Sequence, residues 1–433
     1  MTVIDLPGRR TAPPAYEELA ARFRPVFQRI ADGAVEREIE RKLPYGEAKA
    51  LREAGFGAIR IPVAEGGSGA TLPQLFRLLV ELGEADSNLV QIFRAHFAFV
   101  EIRLNSDDTA ARERWFPRIV AGQTVGAAMA ERTTATETTL DLRRDGDRWL
   151  LDGEKYYCTG TLYADWVSAA AKEGEERVSV LVPTDAPGVS LIDDWDGFGQ
   201  RLTASGTTRF ENVEVFEENF LRRFNPGEYR ADSYISAFYQ QFHLAALAGI
   251  ARAVKRDAIA FVHGKTRQFG VPGLSEPRKD PLVQRVIGRI ASQVFAAEAI
   301  VDSVSESLQA AHEAYLAGAD LNEPLAETDR RSYQGQQVLI ELVPQVATLL
   351  FEVGGASAAQ ESRRLDRHWR NARVLASHNP AIARERVLGD HYLNGIDFRD
   401  EWAKAWKKDG ASADSADAAA TPEAVREPVA QAG

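Results

Sequence analysis

Apolar residues recur at three- and four-residue spacing from Tyr16 to Ile39 (Leu19, Phe23, Val26, Phe27, Ile30). That is the period of a helix with one buried face. Pro44 opens another helix through Ala54, with Gly55 past its end, as proline and glycine do at helix boundaries. Leu72–Asp86, Leu89–Asn105 and Asp107–Ala121 read as further helices. At about Gly126 the period shortens. Short runs rich in β-formers follow at 149–153, 154–159, 166–171, 177–183, 188–193 and 207–216. Asp145-Gly146, Asp152-Gly153 and Pro187-Gly188 punctuate them, as turns punctuate strands. Long helical stretches return from Ser233 to Tyr315 and from Asp329 to Ala359, enough for a helix bundle. The pattern predicts a mainly α chain with a β insert, a small barrel or sandwich. Its divisions are a polar arm (1–14), an N-terminal helical domain (15–125), a β domain (126–225), a C-terminal helical bundle (226–409) and a tail (410–433). The tail is rich in Ala, Asp, Glu and Pro and lacks aromatics, a composition expected to stay disordered.

Composition narrows the function. The 433 residues carry a net charge of −11, which argues against nucleic acid as a partner, since its binding domains are usually basic. A single cysteine, Cys158, excludes an internal disulfide and any cysteine-cluster metal site; no metal is expected. No long uninterrupted apolar run and no N-terminal apolar core are present, so a cytoplasmic protein without a membrane partner is expected. The glycine-rich turn Ile61–Gly69 lacks phosphate-loop spacing and reads as a connector.

Chemistry concentrates in Arg363–Gly395, which holds seven arginines and three of the seven histidines. Ser377-His378-Asn379-Pro380 must break a helix there, because the residue before proline is pushed out of the α region and proline has no N–H to donate. A cationic helix thus runs into a kink that presents His378 and Asn379, and a new helix starts at Ala381. This suits a pocket wall, or equally a solvated helix corner. His96 lies among Phe93, Phe97 and Phe99. It is either a satisfied core histidine or one pointed into an aromatic pocket.

Five segments in order resemble the acyl-CoA dehydrogenase superfamily of flavoproteins: Gly126–Glu131, Lys155–Gly160, Thr266–Gly270, Val353–Gly355 and Arg363–Gly395. The resemblance spans about residues 15–405. It implies the acyl-CoA dehydrogenase-like fold, and backbone contacts to the flavin from Met129, Ala130 and Glu131. It places Tyr157 against the flavin ring, with Thr159 near the ring's N5 edge and Thr161 close by. It implies that Arg267 reaches the flavin phosphates of a neighbouring subunit, through paired charge-assisted bonds. Phe269, Gly354, Gly355 and Asn379 join the cofactor-contacting set.

Where that superfamily carries a proton-abstracting Glu-Gly-Thr, this chain has Asn379-Pro380-Ala381, and an amide cannot accept the proton. Some members place the glutamate on the first bundle helix, but none lies between Glu228 and Glu276 here. The chain is instead similar to the flavin-dependent monooxygenase branch: sulfur-acquisition oxidoreductases, sulfone and alkanesulfinate monooxygenases, and dibenzothiophene monooxygenase. That branch implies reduced FMN from a separate flavin reductase. Oxygen then passes from a C4a-hydroperoxide to a soft atom such as the sulfur of a small organosulfur substrate. Aromatic residues (Phe93, Phe97, Phe99, Tyr157, Trp195, Phe198) would dry the pocket. His96 and His378, with ordinary pKa values near ~6.5, would donate to the peroxide. His391 is expected at a subunit interface, and His368 and Trp369 to pack or pair with Asp366. A homotetramer, a dimer of dimers, is implied. The phosphate segment Arg-Gln-Phe-Gly is nearer the dehydrogenases and keeps FAD open. N-hydroxylation of an amine, a dehydrogenase with another base, and a non-catalytic flavin-binding protein remain alternatives.

Overall fold

A computed structural model describes residues 13–132, 139–224, 233–265 and 276–397. The N-terminal helices are α1 (Tyr16–Asp32), α2 (Ala34–Glu40), α3 (Tyr45–Glu53), α4 (Leu72–Ile92), α5 (Arg94–Leu104) and α6 (Thr109–Val120). The stretch expected as one helix to Ile39 divides at Gly33. The break expected between Asp86 and Leu89 is a kink inside α4. Asp86 leaves helical geometry (φ −162°, ψ 109°), and its carboxylate caps the restarting turn by accepting the Asn88 N–H at 3.0 Å.

Eight strands follow: β1 (Val125–Ala128), β2 (Asp141–Asp145), β3 (Arg148–Lys155), β4 (Trp166–Glu173), β5 (Glu176–Pro183), β6 (Val189–Ile192), β7 (Thr207–Val215) and β8 (Phe220–Phe224). They form one mixed sheet in the order β6-β7-β3-β2-β4-β5-β8, with β1 parallel to β4. The expected turn at Asp152-Gly153 is a bulge within β3. Pairing with β7 shifts register between Leu151 and Gly153, and Gly153 takes φ +128°, which glycine tolerates best. The inward sheet face has its own apolar core, including Leu142, Leu151, Val167, Val180, Phe210 and Val213.

The C-terminal bundle comprises α7 (Ser233–His263), α8 (Pro281–Leu316), α9 (Asn322–Gly354), α10 (Asp366–Ala376) and α11 (Ala381–Asn394). The chain is mainly α with a β domain between two helical ones, as the sequence pattern predicts. One core joins the N-terminal helices to the bundle; it includes Phe76, Phe97, Phe238 and Phe242. Where α4 crosses α7, a Cβ on Gly249 would come within 2.6 Å of the Gly83 backbone, so only glycine permits this approach. Residues 322–359 are long and apolar enough for a membrane span, but Leu339, Val343, Val346 and Leu350 of α9 are buried in the bundle core.

Candidate active site

The site is built where the β domain meets both helical layers. After β3, Tyr156 N–H donates to the Ala130 carbonyl (2.9 Å), Cys158 N–H to Gly206 (3.1 Å) and Gly160 N–H to Thr203 (3.3 Å). Residues 156–160 are thus stitched to the end of β1 and to the loop before β7. Tyr157 sits in the left-handed region (φ +60°). A non-glycine residue there carries strain that the surroundings must enforce, a feature that clusters at functional sites. Its ring is 52% exposed, edge-on to Tyr156 and Trp195. Met129, at the end of β1, is also exposed. The carboxylate of Glu131 faces the buried Lys155 ammonium and accepts from Thr139, so it is a structural anchor for this corner.

The hydroxyl of Thr159 heads an ordered chain. Thr159 Oγ1 lies 2.7 Å from Ser205 Oγ, which lies 2.7 Å from Thr203 Oγ1. Thr203 donates to the Gln200 carbonyl at 2.9 Å. A carbonyl only accepts, so Thr203 spends its hydrogen there, Ser205 donates to Thr203, and Thr159 donates to Ser205. Thr159 therefore keeps a lone pair to receive an N–H.

The second wall is the α10–α11 corner with α5 and α7. Arg94, first residue of α5, donates to His243 Nε2 (3.1 Å) and to His378 Nε2 (3.4 Å). Both imidazoles accept at Nε2 and so carry their hydrogen on Nδ1. That of His378 reaches Asn379 Oδ1 at 3.1 Å; that of His243 has no partner among the described residues. The two rings lie 4.2 Å apart. Packing around the ring and the Arg94 charge push the His378 pKa down to about 4, and burial with neighbouring His378 holds His243 well below its ordinary value. His378 opens to solvent at the rim of the corner. It is neutral near pH 7 with both ring nitrogens engaged, Nε2 by Arg94 and Nδ1 by Asn379, so it does not hold the readily exchanged proton expected from an unperturbed imidazole. Asn379 donates its amide to Gln240, which also accepts from Arg384.

The loop before β7 joins the walls. Gln200 N–H donates to Asn371 Oδ1 of α10 (2.7 Å), and its amide to Ser87 Oγ (2.8 Å). Gly160 has φ +81° and abuts the Ile92 carbonyl at the end of α4, two residues before Arg94. Phe198 stacks on Trp369, both partly open to solvent.

Several expected site residues fall elsewhere. His96 is 1% exposed; its Nε2 donates to the Gly57 carbonyl (2.9 Å) and its Nδ1 accepts the Val125 N–H (3.3 Å). Both ring nitrogens are used, so it ties α5 to β1 instead of facing a pocket. Phe93 and Phe97 likewise pack in the core around Phe56, and Phe99 against Trp115. Thr161 is buried beneath β1, donating to the Ala127 carbonyl at 3.2 Å. His368 pairs with Asp257 (2.8 Å), not Asp366, which binds Arg370 instead. His391 Nδ1 meets the Ile396 carbonyl at 2.9 Å, which closes the end of α11. Gly354 and Gly355 end α9, where a Cβ on Gly354 would strike Ala358. Arg267 and Phe269 lie outside the described residues. Arg94, His243, Gln240 and Ser205 were not anticipated.

Family models for the acyl-CoA dehydrogenase N-terminal, middle and C-terminal domains match residues 14–123, 126–213 and 242–381. The chain belongs to the acyl-CoA dehydrogenase family. Within it, this acyl-CoA dehydrogenase family chain is similar to the probable FMNH2-dependent monooxygenase SfnC of Pseudomonas putida, at 28% identity over 87% of this chain and 93% of that protein. It is similar in structure to FMN-bound TdsC from Paenibacillus sp. A11-2, with a TM-score of 0.80 and 26% identity, covering 88% of this chain and 98% of TdsC. The methanesulfinate monooxygenase MsuC from Pseudomonas fluorescens aligns with a TM-score of 0.77 and 26% identity, covering 87% and 97%.

Proposed function

We propose that this protein is an FMN-dependent monooxygenase that uses reduced FMN and O2 to oxygenate a small organosulfur compound. One observation carries the reading. At the corner where a dehydrogenase of this family needs a proton acceptor, this chain places Asn379, its amide tied to Gln240 and its oxygen to His378. An amide has no basic lone pair to take a proton from carbon. The names of SfnC, TdsC and MsuC point the same way.

The residues fit a flavin. The strained Tyr157 offers an exposed aromatic face, and Met129 and Ala130 line the adjoining strand end. Thr159 keeps a lone pair where its own relay consumes its hydrogen. Bound reduced FMN supplies the two electrons that activate O2 for insertion of one oxygen atom. Thr159, whose hydrogen is committed to Ser205, would keep a lone pair to accept an N–H of a bound reduced flavin and so would favour that form. Tyr157, Trp195 and Phe198 restrict water at the ring face. His378, held neutral, orients Arg94 and Asn379 on the substrate side through its two ring nitrogens.

The same reading includes a separate flavin reductase as FMNH2 source and a homotetramer. Phe295 and Leu282 on α8, and Ile382 and Leu393 on α11, leave large apolar side chains at least 70% exposed, as helices that pack against another copy would. Light scattering of the full chain tests this; a monomer that binds FMN with full affinity refutes the assembly requirement. The activity is tested by supplying chemically reduced FMN in air with methanesulfinate, dimethyl sulfone or dibenzothiophene. Oxygenated product supports the assignment. Bleaching of bound FAD by an acyl-CoA, with no oxygenation, sinks it.

A further inference from the structure

Among the described residues, the substrate-side wall holds two guanidinium groups and no carboxylate in contact with either. Arg94 is bonded to two neutral imidazoles and lies over the Tyr239 ring at 4.9 Å. Arg384 of α11 is 6% exposed; it donates to Gln240 and to Gln336 Oε1 (2.6 Å) and lies over Tyr333 at 4.7 Å. Arg384 is buried and Arg94 half-buried, and the lost hydration lowers the pKa of both. Asp329 of α9 acts on Arg384 only as a background charge. Buried Arg60 faces Glu101, Arg37 faces Asp86 and Arg367 faces Asp257; Arg103 of α5 is a further buried arginine without a paired carboxylate among the described residues, held by the Phe99 carbonyl and ring. Desolvated arginines are normally paired, because an uncompensated buried charge is costly.

A second observation lies in the same cluster. His243 is 1% exposed and its Nδ1–H, beside Arg94 and His378, has no acceptor. Gln91, one helical turn before Arg94, is 5% exposed with its amide nitrogen unpartnered. The cluster is therefore rich in donors. It has two cations and an unmatched imidazole N–H. What it lacks is a negatively charged acceptor.

We infer that the Arg94–His243–His378 corner binds the anionic head of the substrate, so that the organosulfur compound oxygenated here is a small sulfinate, whose sulfonate product shares the site, rather than a neutral sulfide or fused-ring thiophene. This rests on the monooxygenase reading and specifies its substrate class. Arg94 can present a guanidinium edge to two oxyanion oxygens, the arrangement in which arginine recognises planar and tetrahedral oxyanions best. The neutral state of both histidines fits the role. Their Nε2 lone pairs orient Arg94 without opposing it, and His243 Nδ1–H remains available as a further donor. A bound anion would raise the His378 pKa toward its ordinary value.

The test is equilibrium binding by calorimetry to the full chain saturated with oxidised FMN, which requires no turnover. Methanesulfinate, methanesulfonate, dimethyl sulfone and dibenzothiophene are the probes. The expected result is binding of both anions, with dimethyl sulfone, similar in size but uncharged, weaker by at least about tenfold. Arg94→Met should remove that advantage, and Arg94→Lys should retain part of it, since lysine keeps the charge but not the fork. Equal binding of sulfone and anions by the wild-type chain overturns the proposal without recourse to any variant. Anion affinity unchanged in a folded Arg94→Met protein also overturns it. If FMN binds but the anions do not, the anion site fails while the flavin reading stands. If neither oxidised nor reduced FMN binds, the monooxygenase reading fails and the anion site falls with it.

Discussion

His96 offers the sharpest separation of structural from catalytic roles. In His96→Leu the side-chain volume is nearly kept, so little cavity forms. Two buried polar groups lose their partners: the Gly57 carbonyl and the Val125 N–H. Each unsatisfied group costs about 1–3 kcal/mol, so the loss should be about 2–6 kcal/mol. Val125 pairs with Trp166 across β1 and β4, and Trp166 lies edge-on to Trp115 at 5.0 Å. Urea unfolding followed by tryptophan fluorescence therefore reports the damaged joint. His96→Gln keeps a donor and an acceptor and should fall between. The pH dependence adds a check. Burial lowers the His96 pKa from 6.5 to about 4, so the unfolded chain binds a proton in a range where the folded one does not. Stability is unaffected above about pH 6.5 and declines as pH falls toward about 4, by up to ~1.4 kcal/mol per unit and about 3 kcal/mol in all. His96→Gln should flatten that share of the acid slope. The reasoning is refuted if His96→Leu unfolds at the wild-type urea concentration while oxygenation falls by about 100-fold or more, the size of a lost general acid or base.

Three further outcomes follow from the same geometry. Thr159→Val should weaken reduced FMN by about 2- to 10-fold, the worth of one hydrogen bond, while oxidised FMN changes less; a titration of each form decides. Asn371→Leu leaves the buried Gln200 N–H unpaired and should cost about 1–3 kcal/mol, with faster proteolysis in the 194–206 loop and more hydrogen peroxide released per FMNH2. Asp257→Asn strips the carboxylate from buried Arg367 and from His368 and should destabilise by about 3 kcal/mol or more in urea; an unchanged midpoint would show that these groups find water instead.

Much of this molecule was legible along the chain because its periods are clear. The change from helical to β spacing at Gly126 and back near Ser233 marks the real architecture, and Pro380 does stop one helix so that α11 starts at Ala381. What the pattern could not give was which side of an element a polar residue faces. His96 sits in an aromatic run that fits a pocket or a core equally well, and only the positions of Gly57 and Val125, far away in sequence, show that it is a core bridge. The Asp152-Gly153 pair has turn chemistry, but strand β7 opposite it makes a bulge. Arg94 left a signal that could have been used. It is the sole charge between Leu89 and Val100, and His243 lies in a chargeless run from Tyr234 to Ala251. A lone cation or imidazole in such surroundings must find a buried partner or a ligand. The hydroxyl order of Thr159, Ser205 and Thr203 needs three-dimensional contact between segments more than 40 residues apart, and no local pattern encodes it.

The most direct test of the central claim is isotopic. The full chain, reduced FMN and methanesulfinate are mixed under 18O2, and the product is read by mass spectrometry. The account predicts one labelled oxygen atom in the oxidised sulfur product, formed in proportion to FMNH2 consumed and lost with heat-denatured protein. If FMNH2 is consumed with only hydrogen peroxide formed, and the same holds for dimethyl sulfone and dibenzothiophene, the account is contradicted.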